Sequence, residues 1–180
     1  MLKYKVTKIN VFGQRTFEFC PYDISLEKPR RDSTMASTCS ASGSRELGIG
    51  FMAYAPLGRG FLTATLKTLD ALLPKDRRRE HPRFSPDNIE KNAQLLAPLE
   101  KIAAAKKCAP AQAALAWLLA QGEDVVPIPG TKRRTWLEQN CTAVSVKLTK
   151  EEIESLSRAF PLNATAGTRY PEKQLAGLGI

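Results

Sequence analysis

The 180-residue chain carries 27 Lys and Arg against 18 Asp and Glu, a formal charge of +9, and 43% of it is hydrophobic. That length suits one domain or one incomplete part of a larger domain, with enough apolar residues for a core, which excludes a wholly disordered chain. The basic excess is scattered, densest at residues 77–79 and at Lys132, Arg133 and Arg134, without the interleaved aromatics that stack bases; this favours a solvated face or a small phosphate ligand over nucleic acid.

No apolar run reaches the roughly 18 residues that suggest a membrane span, and no secretory leader pattern of about 7 to 15 apolar residues opens the chain, so a cytoplasmic protein with no membrane partner is expected. Cys20, Cys39, Cys108 and Cys141 form no CxxC pair, and His81 is the single histidine. Neither a metal site nor a disulfide framework is expected, and the thiols should be reduced and mostly buried.

In chain order, the loose alternation of Leu2, Tyr4, Val6, Val11, Phe17 and Phe19 predicts a β-hairpin turning near Gly13 and Gln14. Residues 29–44 are rich in Ser, Thr and Arg and predict loop or disorder. Glu46 and Leu47 read as a helical end with Gly48 as its C-cap, followed by a strand over residues 49–54 that stops at Ala55 and Pro56. Leu57, Gly58, Arg59, Gly60 and Phe61 then form a glycine-bearing loop beyond the strand's C-terminal end, where parallel α/β architectures bind ligands. The same glycines would also serve a plain tight turn.

Residues 66–86 form a long polar connection, with His81 among arginines and expected in solvent. Asp87 and Glu90 suggest a capping box, and Ile89, Ala93, Leu96, Leu99, Ile102 and Ala103 recur at helical spacing to about Lys107. Pro98 removes a donor inside that run and predicts a kink or a break into two pieces. Pro110 suits the first turn of a further helix, with Ala114, Leu115, Leu118 and Leu119 buried and Gly122 as its stop.

The apolar run Val125, Val126, Pro127 and Ile128 reads as a buried parallel strand, broken by Pro129 and Gly130 before polar residues open another helix. An anion at such a helix start is stabilised by unpaired amides and the dipole, and Thr131, Lys132 and Arg133 add a hydroxyl and two cations. A solvated basic turn capping a helix is the alternative reading of the same residues. The succession strand, loop, helix, helix, strand, helix predicts parallel strands joined by right-handed crossovers. Thr149 and Glu152 suggest a capping box for a last helix with Ile153, Leu156 and Phe160 inward, and residues 161–180 form a tail with few anchors.

Three stretches taken together, ELGIGFMAYAPLGRGFLT (46–63), AQAALAWLLAQ (111–121) and VVPIPGTKRRTWLEQN (125–140), resemble the aldo-keto reductase family in the family's own order. The resemblance implies an α/β fold: a partial (β/α)8 TIM barrel holding the C-terminal strands and helices over residues 45–160, then a tail over 161–180. Within the poorly assignable residues 1–44, a weaker echo implies a preceding barrel strand near 15–22. It further implies an NADP(H)-dependent oxidoreductase that reduces a small-molecule aldehyde or ketone to an alcohol.

Carried over by position, Tyr54 matches the aromatic that stacks on the nicotinamide. Ala55, Leu57 and Gly58 match the pyrophosphate-wrapping stretch, although the family usually has Ser at the position of Ala55, and Arg59 lies in the same loop. Gly130 leads into Thr131, Lys132 and Arg133, which match the site for the NADP 2′-phosphate, while Gln139 and Asn140 match residues near the adenine. The family's proton-donating tyrosine and its lysine, aspartate and histidine partners lie in the first half of the barrel, and no segment here matches it. No catalytic residue is therefore assigned, and the chain reads as a fragment expected to be inactive alone. A non-catalytic nucleotide-binding or protein-interaction module of the same fold is the alternative, with the oligomeric state open.

Overall fold

The computed structural model describes residues 45, 48, 50–161 and 164–174. The expected N-terminal hairpin, the barrel strand near 15–22 and the Ser-rich stretch 29–44 lie outside them.

Strand β1 (Phe51–Tyr54) pairs in parallel with β2 (Val125–Ile128), in the register Phe51 to Val125, Met52 to Val126, Ala53 to Pro127 and Tyr54 to Ile128. Between them run short 3-10 turns and three helices: α1 (Pro86–Gln94), α2 (Ala97–Ala105) and α3 (Pro110–Leu119). Helices α4 (Arg134–Thr142) and α5 (Lys150–Ala159) follow β2. The alternation of strand and helix is as the sequence predicts.

Residues two apart along a strand share a face, and the two faces here differ. Phe51, Ala53 and Val125 are buried in the core. Met52 and Val126 stand 66% and 50% exposed, with Tyr54 and Ile128 also exposed, so β2 is buried on one face rather than on both, as its apolar run had suggested. Helix α3 packs against the covered face, and Ala113, Leu115 and Leu118 are almost wholly enclosed. Its burial runs nearly all round, including Ala111, Ala116 and Trp117, whereas Leu119 is only half-buried.

The helical run from Ile89 to Ala103 divides as expected, at Leu95 and Leu96, with Pro98 in the first turn of α2, where a missing amide costs no helical bond. The expected Asp87 and Glu90 box does not form. Ser85 is the N-cap and Pro86 the first helical residue, so the helix starts before Asp87 can cap it. The second box does form: Glu152 N–H donates to Thr149 Oγ1 at 3.3 Å and Thr149 N–H to Glu152 Oε2 at 2.7 Å. Glu152 also accepts Lys106 Nζ at 2.8 Å, tying α5 to the end of α2.

The basic run 77–79 holds the polar connection together. Arg79 donates to the carbonyls of Leu69, Leu72 and Leu73, adding charge-assisted hydrogen bonds to a turn in which the Leu69 and Leu73 carbonyls already accept the Leu72 and Asp76 amides. Among the described thiols, Cys108 is half-buried, and burial pushes its ionisation up. Cys141 is exposed, against the expectation of burial, because α4 has no buried residue.

Candidate functional site

Both strands end on the same side, as parallel pairing requires, so the segments after Tyr54 and after Ile128 meet there. They enclose a groove of about 1120 Å³. Small-molecule and cofactor pockets measure roughly 300–1,000 Å³, so the groove has room for an extended ligand of dinucleotide size.

From the β1 side the groove receives Tyr54, Ala55, Leu57 and Arg59; from the β2 side come Gly130, Thr131, Lys132, Arg133, Gln139 and Asn140. Gly58 is the one sequence-predicted site residue that does not line it. Gly58 faces a small cavity of about 20 Å³ behind the loop, with Arg59, Arg83, Asn92, Thr165 and Arg169. That space is about one water in size.

The β1 loop follows an unusual backbone path. Ala55 (φ 50°), Gly58 (φ 56°), Arg59 (φ 58°) and Gly60 (φ 92°) all occupy the left-handed region. Glycine enters it without steric cost, whereas Ala55 and Arg59 must be held there by their surroundings. One holder is Arg78, whose Nη1 donates to the Arg59 carbonyl at 2.9 Å. Arg78 is fixed in turn by Asp76, with Nη2 to Oδ2 at 2.6 Å and Nε to Oδ1 at 3.0 Å. The Arg78 hydrogen bonds hold the Asp76 carboxyl at about 2, below the usual carboxylate range.

On the β2 side, Thr131 Oγ1 accepts the Arg133 amide at 3.2 Å and shapes the turn into α4. Arg133 is the N-cap, without a capping side chain, and Lys132 and Arg133 stand exposed. Among the described lining residues the charged groups are Arg59, Arg78, Lys132 and Arg133, with no carboxylate. The charge of Arg78 is offset by its ion pair with Asp76, so Arg59, Lys132 and Arg133 are the cations that favour an anion there, and the amide-bearing start of α4 adds to the effect.

The structure brings in residues that the sequence reading did not single out. Ala109, Pro110 and Ala111 place the N-terminal end of α3 on the groove; there the Ala109 amide is taken by Gln112 Oε1 at 2.9 Å. Proline in the first turn marked this helix start, but not its proximity to the other two loops. Arg78 and Trp136 also line the groove; Trp136 is 46% exposed. His81 is half-buried rather than solvated, its ring edge-on to Tyr170 with centroids 5.9 Å apart. Among the described residues no helix is long and apolar enough to cross a membrane.

Comparison with known proteins identifies the family. Residues 14–160 match the sequence model of the Aldo/keto reductase family. The aldo-keto reductase yakc [NADP(+)] of Schizosaccharomyces pombe is 42% identical over 154 residues, 86% of this chain and 43% of that protein. The aldo-keto reductase str7 of Strobilurus tenacellus is 39% identical over 152 residues, 84% and 43% of the two chains. A probable aldo-keto reductase 1 of Glycine max is 43% identical over 126 residues, 70% and 36% of the two. Among solved structures, a thermostable aldo-keto reductase crystallised with the inhibitor epalrestat gives a TM-score of 0.46 at 27% identity, over 66% of this chain and 32% of that one. The chain thus spans less than half the length of these curated relatives. With its parallel strands and intervening helices forming part of an α/β barrel, the chain belongs to the aldo/keto reductase family of oxidoreductases.

Proposed function

We propose that the groove between the two strand ends holds NADP(H), and that the chain supplies the coenzyme-binding part of a reductase acting on a small-molecule aldehyde or ketone. The observation carrying this reading is the convergence on one groove of Tyr54, Ala55, Leu57 and Arg59 with Thr131, Lys132, Arg133, Gln139 and Asn140, under a lining that includes no described carboxylate. The name of the fission yeast relative, which includes NADP(+), supports the choice of coenzyme.

In this reading Tyr54 offers a flat ring at the strand's end to the nicotinamide, and the left-handed loop brings backbone and Arg59 against the pyrophosphate. Thr131, Lys132 and Arg133 take the 2′-phosphate, and Gln139 and Asn140 lie by the adenine. The coenzyme, when bound, supplies the hydride that reduces the carbonyl. A dianionic phosphate beside Lys132 and a helix start gains charge-assisted hydrogen bonds that the neutral NAD ribose does not, so NADPH should be preferred.

The sequence has no segment matching the one that carries the family's catalytic tyrosine, lysine, aspartate and histidine. The 180-residue chain on its own is therefore proposed to bind coenzyme without reducing carbonyls, acting as a cytoplasmic fragment that needs a complementing part of the barrel. Fluorescence titration of the purified chain with NADPH and NADH tests the first point, and failure to bind either removes it. Oxidation of NADPH with an aldehyde, at a rate proportional to protein and abolished by Tyr54→Ala, would overturn the second.

A second reading, a non-catalytic nucleotide-binding or interaction module, is favoured by the exposed sheet face at Met52 and Val126. Such a face suits a partner that completes the layer. Coenzyme binding without restored activity when the rest of a related barrel is added would select it.

A further inference from the structure

Arg59 lines the groove, yet its guanidinium is held from the far end of the chain. Its Nη1 donates to the Arg169 carbonyl at 3.1 Å, and its Cζ lies 4.6 Å from the centre of the Tyr170 ring, within cation–π range. The segment carrying these groups is itself pinned at several points. Asn92, 2% exposed, exchanges two hydrogen bonds with Ala166. Gly167, at φ +83°, lies so close to the Pro82 carbonyl that a Cβ would sit 2.7 Å from it. The His81 ring closes on Tyr170 from another side. The expectation of a poorly anchored tail does not hold over these residues.

We propose that residues 165–170 form a positioning strap that sets the Arg59 guanidinium at the groove, so that affinity for a polyphosphate ligand depends on Tyr170, a residue outside the groove lining. The inference rests on the coenzyme reading above. Its physical basis is the strained loop. Left-handed φ at a non-glycine residue is costly, and Arg59 keeps it because its carbonyl is held by Arg78 and its side chain by the strap. Release of the strap removes two contacts that position the guanidinium and lets the loop relax to other backbone conformations, so the ligand must reorder both on binding. Tyr170 acts through Arg59 as a positioning residue.

The experiment is an NADPH fluorescence titration of the full 180-residue chain bearing Tyr170→Leu or Tyr170→Phe, each alone and combined with Arg59→Met. Tyr170→Leu should weaken binding about three- to tenfold, the range of a partly exposed cation–π contact, and Tyr170→Phe, which keeps the ring, should stay within about twofold. In the Arg59→Met background, Tyr170→Leu should have no further effect. Equal affinities for the parent and Tyr170→Leu, or equal losses for Leu and Phe, would overturn the strap. If Tyr170→Leu does not fold, Tyr170→Met takes its place. Should the parent bind no NADPH, the coenzyme reading fails. The strap is then judged without ligand by amide hydrogen exchange over residues 58–62, which must accelerate in Tyr170→Leu and not in Tyr170→Phe.

Discussion

Asn92 treats Ala166 as a neighbouring strand would: its Nδ2 donates to the Ala166 carbonyl at 3.0 Å, and its Oδ1 accepts the Ala166 amide at 2.7 Å. The same Nδ2 reaches the Arg83 carbonyl at 2.9 Å. A buried side-chain amide whose donor and acceptor are both satisfied fixes where the chain after α5 must lie.

Replacement of Asn92 by Ala strands three backbone groups in a buried site. The expected loss is about 2–4 kcal/mol in a urea titration, because unsatisfied buried groups cost about 1–3 kcal/mol each and partial rehydration recovers some of that. Asn88→Ala, which removes a single half-exposed bond to the Pro82 carbonyl, should cost under about 1.5 kcal/mol. Equal effects would show that the Asn92 pairing does not anchor the segment.

At Gly167 an alanine meets two obstacles. The φ of +83° disfavours any side chain, and the Pro82 backbone cannot swing away as a side-chain tip would. Gly167→Ala should lower stability by about 1–3 kcal/mol, the range for strain of this kind. Gly130→Ala is the control, since nothing lies within 4 Å of a Cβ there. Parallel thermal melts check the contrast.

Lys132 and Arg133 lie on the exposed rim of the groove. Lys132→Ala should weaken NADPH binding about tenfold and leave NADH nearly unchanged, since each charge-assisted hydrogen bond to a phosphate is worth about 1.5–3 kcal/mol before solvent screening. The readout is the ratio of the two dissociation constants, at two salt concentrations. A ratio unmoved by the substitution would remove the 2′-phosphate assignment.

Asp76 predicts an acid-side signature. Its carboxyl is held at about 2, first by hydrogen bonding to Arg78, against an ordinary value of 3.8. A carboxyl depressed on folding contributes in full above the ordinary value, and the contribution disappears as pH falls from 3.8 through about 2. Glu152, lowered chiefly by its bond to Lys106, adds a separate loss beginning near its ordinary value of 4.5. Urea midpoints measured between pH 5 and pH 2 should fall less steeply in Asp76→Asn than in the parent below pH 4. Parallel curves would mean that Asp76 is equally depressed in the unfolded chain.

The core is the simplest test of the packing. Leu118 in α3 is fully enclosed, and Leu118→Ala should cost about 2–5 kcal/mol, whereas half-buried Leu119→Ala should cost less. Chemical denaturation of the two variants decides this.

What could be read from residues alone was whatever depends on near neighbours. Hydrophobic spacing and proline punctuation located β1, β2 and the helices, because secondary structure responds to periods of two and 3.6 and to missing amides. The Thr149 and Glu152 cap was equally legible, since both partners lie within one turn. Asp87 and Glu90 misled because Pro86, one residue earlier, already opened the helix.

The sequence by itself determined the strands and helices of the described residues, their order and, through three motifs, the family; ten of its eleven proposed coenzyme contacts lie around one groove. Only the tertiary structure decided that Pro110 and Arg78 join that groove, that one face of each strand is bare, and that Asn92 and Arg59 hold a segment some 74 to 110 residues away. Contacts between residues so far apart leave no periodic trace in a single sequence. They depend on where whole elements come to rest once the core around α3 has closed, and an asparagine inside a helix looks the same in one dimension whether it faces water or another stretch of backbone.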